Sequence, residues 1–482
     1  MTNLSCRTPS AASDDLDASA GLDPAGIPTQ GQSGADQSPA GPAGSGPDSD
    51  RSPEETLSGE SERPRRQASS GPRPDPAATS ADEPGSPQDR RRAVGSLRIL
   101  IMLGALSAFG PLSFDMYLPA LPQLAADLGS SHAVAQLSLS LSMLGLGLGQ
   151  VVAGPISDQV GRKLPLVIGV VVFTLGAFAC AISPSIELLL VARLLGGLGG
   201  GAGVVLARSM VRDLYQGREA ARAYGITALV FGIAPVVAPL VGGLLLTVTT
   251  WRGIFVTMGV CGVVLLVAAI RMPETLPPAA RRAAGLRAML GSFRRVLSDR
   301  SFLAPALVLA IGFQPLSLYL AMGSFVLQDG YGLTAQQFGY VFAANSVGIL
   351  LLGRINLRVV PRVGPYRVLV AALTLSIVSC ALIALATVLG AGVWWVLVPL
   401  FFAISVAGPL LPNATTLALD GQSAAIGSAA ACLGLVQTIV GAGIPPLVSL
   451  FGVSPELMGV SMALASVLCV IPLLAVPSSA RN

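Results

Sequence analysis

Residues 154–163 read GPISDQVGRK, a short charged segment between two apolar runs near 133–153 and 164–183. Each run has about the 20 residues that a helix needs to cross a bilayer. Gly161 permits a tight turn, and Asp158 can accept hydrogen bonds from a neighbouring helix N-terminus. The segment therefore predicts a tight connection between two membrane-spanning helices at one face of the membrane.

Working outward from this segment, similar apolar runs cover most of the chain after Leu97. Of its 482 residues, 52% are hydrophobic and only 12% are charged. A soluble domain carries about twice that charge, so we expect an all-α integral membrane protein with twelve spans. The spans are predicted near 97–121, 133–153, 164–183, 187–207, 222–246, 252–271, 302–324, 336–357, 366–388, 393–412, 424–446 and 456–476.

The positions of Lys and Arg test this assignment. If the N-terminus lies inside, every basic residue from Arg90 onward falls in an inner segment except Arg193, within a span, and Arg252, in an outer loop. Lys and Arg concentrate in cytoplasmic loops, so the pattern predicts that both termini are cytoplasmic. The basic excess then reports topology, and we expect no nucleic-acid binding.

The composition also predicts the domain organisation. Residues 1–96 are rich in Ser, Pro, Gly, Asp and Ala and cannot bury enough apolar surface to fold, so we expect a disordered cytoplasmic tail. The charged segment 272–300 divides the spans six and six. We therefore expect an N-terminal bundle (97–271), a cytoplasmic linker (272–300), a C-terminal bundle (301–477) and a short cytoplasmic C-terminus (478–482), with a cavity between the bundles.

Several chemistries are excluded by the residues that the chain lacks. Lys163 is the only lysine and His132 the only histidine, which rules out a Gly-Lys-Ser/Thr phosphate loop and a paired-His metal site. The glycine run 196–203 lies inside an apolar span with no preceding strand, so it is not a dinucleotide fingerprint. We expect no enzyme activity, no ATP, no metal and no cofactor, with a proton gradient as the energy source.

Asp115 is the only acid well inside a predicted span. It lies about 18 residues, or roughly 27 Å, from the start of helix 1 near Leu97, in the outer third of a ~30 Å core. A carboxylate there is costly unless it is paired or protonated. Asp115 is therefore a candidate proton carrier that also meets cargo. The alternative is an acid near a helix end, wetted through the break at Pro119 and Pro122.

Arg193 is the expected partner of Asp115. Helix 4 enters from outside near Glu187, which places Arg193 about 9 Å below the outer face, at a depth similar to that of Asp115. An arginine within the membrane usually faces the bundle interior and pairs with an acid. The alternative is a structural ion pair with no role in turnover.

The segment that opened this section resembles the signature loop of the major facilitator superfamily, G-x-x-x-D-R-x-G-R-K/R. Gln159 stands where the family usually has arginine, which weakens any charge relay through that position. The resemblance implies a gating loop that latches the two halves, and Gly154 permits close helix approach. The matching positions are Gly154, Asp158, Gly161, Arg162 and Lys163.

Two further segments resemble motifs of the same superfamily. Residues 189–203 resemble the helix 4 motif built on an intramembrane arginine, with Arg193 and Gly197 in register. Residues 232–243, GIAPVVAPLVGG, resemble the antiporter motif of helix 5, although Ala238 replaces the usual glycine. Small residues there let the helix pack closely on its neighbour. The motif positions are Gly232, Pro235, Pro239, Gly242 and Gly243.

Residues 114–122, FDMYLPALP, together with 207–208 and 211–215, resemble the Bcr/CflA branch of drug:proton antiporters. The resemblance implies a major facilitator fold with twelve helices, in a bacterial cytoplasmic membrane. It also implies export of drugs such as chloramphenicol- or bicyclomycin-type compounds in exchange for protons. We expect a monomer that works by alternating access.

Other functions remain open from the residues alone. The same fold could export a native metabolite, such as a sugar, nucleoside or amino-acid derivative, and the long tail could be the output of a sensor. The cargo cavity should be lined by polar or aromatic residues within spans, although each could equally serve helix packing. The candidates are Tyr117, Gln314, Tyr319, Asn345, Asn413 and Gln437.

Overall fold

The computed structural model describes residues 87–281, 296–420, 422 and 426–476. The predicted tail up to residue 86, the linker from 282 to 295 and the C-terminus 478–482 lie outside the described residues. The first helix begins at Pro87, so the prediction of a disordered tail is wrong for residues 87–96. Proline is tolerated in the first turn of a helix, and Gln, Arg and Ala are good helix formers.

Seven helices form the first six spans. The first span bends by 46° between Ile99–Ala108 and Leu112–Asp127, and a 3-10 helix, Leu118–Ala120, lies within it. The seven helices are α1 (Pro87–Asp115), α2 (Leu121–Asp127), α3 (His132–Val160), α4 (Lys163–Ala181), α5 (Ile186–Leu214), α6 (Gly217–Leu245) and α7 (Trp251–Arg271).

Nine helices form the last six spans. Three of these spans consist of two helices each, and Pro315, Pro409 or Pro472 lies near the start of the second helix, where proline interrupts the hydrogen-bond ladder. The nine helices are α8 (Arg300–Gly312), α9 (Gln314–Phe325), α10 (Ala335–Val363), α11 (Pro365–Val388), α12 (Val393–Ser405), α13 (Ala407–Leu419), α14 (Ile426–Ser449), α15 (Pro455–Leu468) and α16 (Val470–Leu474).

The number of spans agrees with the sequence. Within the described residues, eleven helical segments are long and apolar enough to cross a membrane, and the bent first span makes twelve. The structure thus confirms the prediction of an all-α membrane fold with twelve membrane spans.

The connections gather at two ends of the bundle. The basic end comprises residues 158–163, 212–219, 271–281 and 358–368, and the opposite end comprises 116–131, 182–185, 246–250, 331–334, 389–392 and 450–454. Lys163 and most exposed arginines of the described residues lie at or near the basic end, whereas Arg252 lies at the opposite end. The predicted alternation of basic segments is therefore confirmed.

Glycines bring the helices of the first half into backbone contact. A Cβ atom on Gly149 of α3 would collide with the Leu198 carbonyl oxygen of α5, and one on Gly201 of α5 would collide with the Leu146 carbonyl oxygen of α3. Small residues in lipid allow such close approach. Gly154 was expected to do the same, but a Cβ there would meet only Val205, at an ordinary 3.9 Å.

The first and last six spans meet along two seams, α3 with α14 and α6 with α10. On the first seam, Ser449 donates a hydrogen bond to Gln136. On the second, contacts run from Gly243 against Ala335 to Gly232 against Leu350.

The second seam opens toward the basic end. The face of α6 that carries Gly232 continues, at helical spacing, through Ala228, Gly225 and Ala221, and all three are exposed. On α10 the face continues from Leu350 to Leu357, which is 70% exposed. The halves are therefore joined at the opposite end and separated at the basic end.

Candidate functional site

Asp115 is the last residue of α1 and is only 7% exposed. After it the chain turns into the 3-10 helix Leu118–Ala120, all of which is buried. This burial contradicts the alternative in which solvent reaches Asp115 through the proline break. The Met116 carbonyl oxygen lies against Gly242 of α6, where any side chain would collide with it. Asp115 is therefore held at a fixed helix end beside the α6–α10 seam.

The second half holds the turn that follows Asp115. Ser324 donates a hydrogen bond from Oγ to the Leu118 carbonyl oxygen at 2.6 Å. Gln328 donates from Nε2 to the Pro119 carbonyl oxygen at 3.1 Å. Asp115 thus lies where the two halves of the molecule meet.

Arg193 does not pair with Asp115. Its Nη1 donates to the Ser113 carbonyl oxygen at 3.3 Å, and its Nε donates to the Ser138 carbonyl oxygen at 3.4 Å. Its guanidinium carbon lies 4.2 Å from the centre of the Tyr117 ring. Within the described residues, no ion pair within 4 Å joins Asp115 to Arg193.

Helix geometry explains why the expected pair is absent. Residues two apart on a helix do not share a face, so when the Ser113 carbonyl region faces α5, the Asp115 side chain is turned away from it. The two residues lie at similar depths, as expected, but depth in the membrane does not determine this rotation. Arg193 instead binds the backbone before Asp115 and stacks on Tyr117 after it.

Two candidate cargo residues of the second half, Tyr319 of α9 and Asn345 of α10, lie beside each other, and Tyr319 is within electrostatic range of Asp115. Both side chains are buried, and the Tyr319 hydroxyl and Asn345 Nδ2 have no hydrogen-bond partner of good geometry among the described residues. Phe342 stacks on Tyr319 with 5.6 Å between ring centres. The structure therefore brings an acid of one half into the neighbourhood of a buried polar pair of the other.

The remaining cargo candidates do not join this cluster. Tyr117 is fully buried, and its hydroxyl lies 3.1 Å from Ser138 Oγ. Asn413 donates from Nδ2 to Asn356 Oδ1 and to the Pro409 carbonyl oxygen, both at 2.7 Å.

The last two candidates also lie apart from Asp115. Gln314 donates to the Ala310 carbonyl oxygen at 3.0 Å, whereas its Oε1 is unpartnered among the described residues. Gln437 is half-buried on α14.

The signature loop is built around Arg162. Its Nε donates to Asp213 Oδ2 at 2.9 Å, and its Nη1 donates to Asp158 Oδ1 at 2.5 Å and to Ser157 Oγ at 2.7 Å. Desolvation opposes the charge on Arg162, but these two carboxylates outweigh it and raise the pKa of the guanidinium. The loop is thereby tied to the end of α5.

Glu274, which follows α7, caps the start of α4. Its carboxylate accepts hydrogen bonds from the backbone N–H groups of Arg162 at 2.8 Å and Lys163 at 3.2 Å. Burial alone would raise the pKa of Glu274, but these bonds and those from the N–H groups of Thr275 and Leu276 lower it. Gly161 has φ +104°, and a Cβ there would meet Glu274 at 2.5 Å, so glycine is needed for both reasons.

These contacts correct two expectations. The acid at the helix N-terminus is Glu274, whereas Asp158 pairs with Arg162 one helical turn away. The hydrogen bonds of Arg162, Lys163 and Glu274 in the described residues stay within the first six spans, so the loop does not latch the two halves in this state. The only sequence signal for Glu274 was its place in the segment Pro273–Leu276, which resembles the superfamily.

The antiporter helix motif lies along the α6–α10 seam. The Pro235 carbonyl oxygen accepts a hydrogen bond from Ser346 Oγ at 3.2 Å, and the Pro239 carbonyl oxygen lies 2.8 Å from the position of a Cβ on Gly339. Gly243 lies against Ala335 in the same way. This helix packs closely on α10 of the second half and, through Gly242, on Met116 of the first.

Comparisons with known proteins agree with this architecture. The family model described as Major Facilitator Superfamily matches residues 103–445. An uncharacterized MFS-type transporter, YdgK, of Bacillus subtilis is 34% identical over 77% of this chain and 93% of its own length. A bicyclomycin resistance protein homolog of Haemophilus influenzae is 30% identical over 71% of this chain and 86% of its own. A chloramphenicol resistance protein of Pseudomonas aeruginosa is 29% identical over 70% and 80%, respectively.

Solved structures share the fold at low identity. A point mutant of the nucleoside transporter NupG superposes with a TM-score of 0.64 at 14% identity, over 79% of this chain and 99% of its own. A D-xylose-proton symporter gives a TM-score of 0.61 at 15% identity, over 78% and 97%. With its family model, its relatives and its fold in agreement, the chain belongs to the major facilitator superfamily.

Proposed function

We propose that the protein is a proton-coupled antiporter that exports drug-like molecules, such as chloramphenicol- or bicyclomycin-type compounds, across a bacterial cytoplasmic membrane. Relatives named for resistance to these two drugs support the cargo class. The observation that carries the proposal is Asp115, a buried carboxylate where the two halves meet, close to Tyr319 and Asn345.

The orientation follows from charge. Cytoplasmic segments are enriched in Lys and Arg, so the basic end faces the cytoplasm and both termini lie there. The seam between α6 and α10 is closed at the opposite end and open at the basic end. This structure then corresponds to the state that is open to the cytoplasm.

Asp115 couples cargo to protons by binding one or the other. A carboxylate in an apolar interior is stable when it carries a proton or meets a partner. In the inward-open state it releases its proton toward the cytoplasm, and a polar or cationic group of the cargo takes its place. Tyr319 and Asn345 supply hydrogen bonds from the other half. After the halves rock, a proton from outside displaces the cargo. Since one site serves two competing ligands, exchange is obligatory.

Arg193 acts in this cycle by holding the end of α1. It binds the Ser113 carbonyl oxygen before Asp115 and stacks on Tyr117 after it. A fixed backbone on both sides keeps the carboxylate at the junction of the halves.

The test is transport into inside-out membrane vesicles with an acidic lumen. Labelled chloramphenicol and a small drug panel are offered with and without the proton gradient, to wild type, Asp115→Asn and Asp420→Asn. Asp420 is exposed at the end of α13, so its variant is a matched control for the loss of one carboxylate.

Gradient-driven uptake by wild type and Asp420→Asn, with only background uptake by Asp115→Asn, is the expected result. Uptake that persists in Asp115→Asn places proton coupling on another residue. If wild type accumulates no drug of the panel, drug export is wrong, and a sugar, nucleoside or amino-acid derivative becomes the cargo to test.

A further inference from the structure

The cleft between α6 and α10 at the basic end has walls that carry arginines. Arg354 lies one helical turn beyond Leu350, the last α10 residue in contact with Gly232, and Arg358 follows one turn later. On α6, Arg222 and Arg218 lie ten and fourteen residues before Gly232, about 80° and 40° around the helix from it. All four arginines are exposed.

The cleft lacks the anions that these arginines would need. Within the described residues, no carboxylate lies within 4 Å of any of the four. Each wall has two like charges at i and i+4, an arrangement that destabilises a helix. Glu219 points about 100° away from Arg218; it lies three residues before Arg222 and offsets part of the charge on that wall, without forming an ion pair within 4 Å in the described residues. The cleft is therefore an electropositive site that a ligand from outside the described chain can neutralise.

Arg354 also lies within an apolar surface. Its neighbours Leu351, Ile355 and Leu357 are 55%, 51% and 70% exposed, and Arg354 precedes the end of α10 at Val363 by about 14 Å of helix. An arginine at such a level must extend toward the headgroups or find an anion. Phosphate is the anion that a bilayer supplies at the headgroup level, and the guanidinium group binds it through two parallel hydrogen bonds.

We propose that this cleft binds the headgroup of an anionic phospholipid, with its phosphate at the level of Arg358 of α10 and Arg222 of α6, which lie about 12 and 15 Å along their helices from the Leu350–Gly232 contact, and with Arg354 and Arg218 at the inner and outer edges of the site. Basic clefts between membrane helices are sites of this kind. The acyl chains lie against the exposed leucines of α10. The lipid occupies the cleft only while α6 and α10 are apart, so it favours the state in which the basic end is open.

The experiment is native mass spectrometry of the purified full-length protein in detergent, with phosphatidylglycerol or phosphatidylcholine of the same acyl chains. Arg354→Gln/Arg358→Gln and Arg218→Gln/Arg222→Gln remove one wall of charges each. Arg271→Gln/Arg367→Gln is the control, because both residues are exposed near the basic end on helices that do not border the cleft.

Wild type should retain phosphatidylglycerol in preference to phosphatidylcholine. Each wall variant should lower that retention by roughly tenfold, and the control should match wild type. Equal retention of the two lipids, or an equal loss in the control, overturns the proposal. If inorganic phosphate displaces the lipid completely, the site takes a free anion instead. None of these readings uses transport, so they stand apart from the test of drug export.

Discussion

The two ends of the bundle are held together in different ways. At the opposite end the contacts cross between the halves, as in the bond from Ser324 to the Leu118 carbonyl oxygen and the pair of His132 with Asp329 at 3.7 Å. At the basic end the strong contacts of Arg162 and Glu274 stay within the first six spans. Contacts at the opposite end therefore join the two halves, whereas those at the basic end hold only the first half together.

This difference shows which contacts must change during transport and which can stay intact. Alternating access requires contacts between the halves to break and form, whereas a network inside one half can move as a unit. The opposite end is therefore the closed gate of this state. The Arg162 network keeps α3, α4, α5 and the segment after α7 together while they move.

The largest expected effect comes from adding a side chain at Gly242, in the closed gate. Gly242→Ala places a methyl group against the Met116 carbonyl oxygen, where there is no space for it. Overpacking of this kind costs about 1–3 kcal/mol, and it displaces the turn that carries Asp115. We expect drug uptake to fall to background and the unfolding temperature in detergent to fall.

Gly225→Ala is the matched control on the same helix. A Cβ at Gly225 meets no atom within 4 Å, and alanine favours a helix over glycine by about 1 kcal/mol. Unchanged uptake and an equal or higher unfolding temperature are expected. If both substitutions have the same effect, the two ends of α6 do not differ in packing as proposed.

Much of the fold could be predicted because membrane helices have a simple requirement. A run of about 20 apolar residues must be a span, and Lys and Arg distinguish the two ends. Span 10 carries Pro399, Pro409 and Pro412, and its helix is interrupted just before Pro409. The start of α1 was missed because a helix can continue beyond the membrane through polar residues such as Arg90, where composition alone favours a tail.

The site was harder to predict because contacts depend on rotation and on distant pairs. Asp115 and Arg193 were identified from their depth, but the face of the helix on which Asp115 lies excluded their pairing. Glu274 binds the backbone of Arg162 across a sequence separation of 112 residues, which no local pattern encodes. Tyr319 and Asn345 stood out from the other candidates only when the fold brought them near Asp115.

A smaller effect should come from the contacts of Glu274 at the basic end. The carboxylate of Glu274 accepts from four backbone N–H groups and has a lowered pKa, so its contribution to stability is present above its unfolded pKa and is lost as the pH falls through the native value. Glu274→Gln should lower the free energy of unfolding by about 1 kcal/mol at neutral pH, as for loss of a helix cap.

Thermal unfolding of the purified protein between pH 7 and pH 3 is the measurement. The difference between wild type and Glu274→Gln should begin to shrink below about pH 4.3, the ordinary glutamate value, and should vanish only below the lowered native pKa of Glu274. Glu219→Gln, a change of the same type at the same end, should have a smaller effect, because that side chain does not cap its helix. If the difference in stability between wild type and Glu274→Gln stays constant with pH, the carboxylate charge does not stabilise these contacts.

The smallest expected effect concerns His132 at the gate. Its imidazole stacks on Phe325 with 4.3 Å between ring centres, and its Nε2 lies 3.7 Å from Asp329 Oδ2 of the second half. Replacing the imidazole removes the stacking on Phe325 and the contact with Asp329. His132→Gln should therefore weaken the closed gate, by less than about 1 kcal/mol because both side chains are half-exposed.

Spin labels on Val248 and Phe451, two exposed positions at the opposite end in different halves, report whether this gate is closed. The fraction with the short distance should be lower in His132→Gln than in wild type, by about threefold at most for 0.7 kcal/mol. Asp329→Asn removes the other member of the pair and should cause a similar change. An unchanged fraction in both variants would show that the gate closes through packing and backbone hydrogen bonds alone.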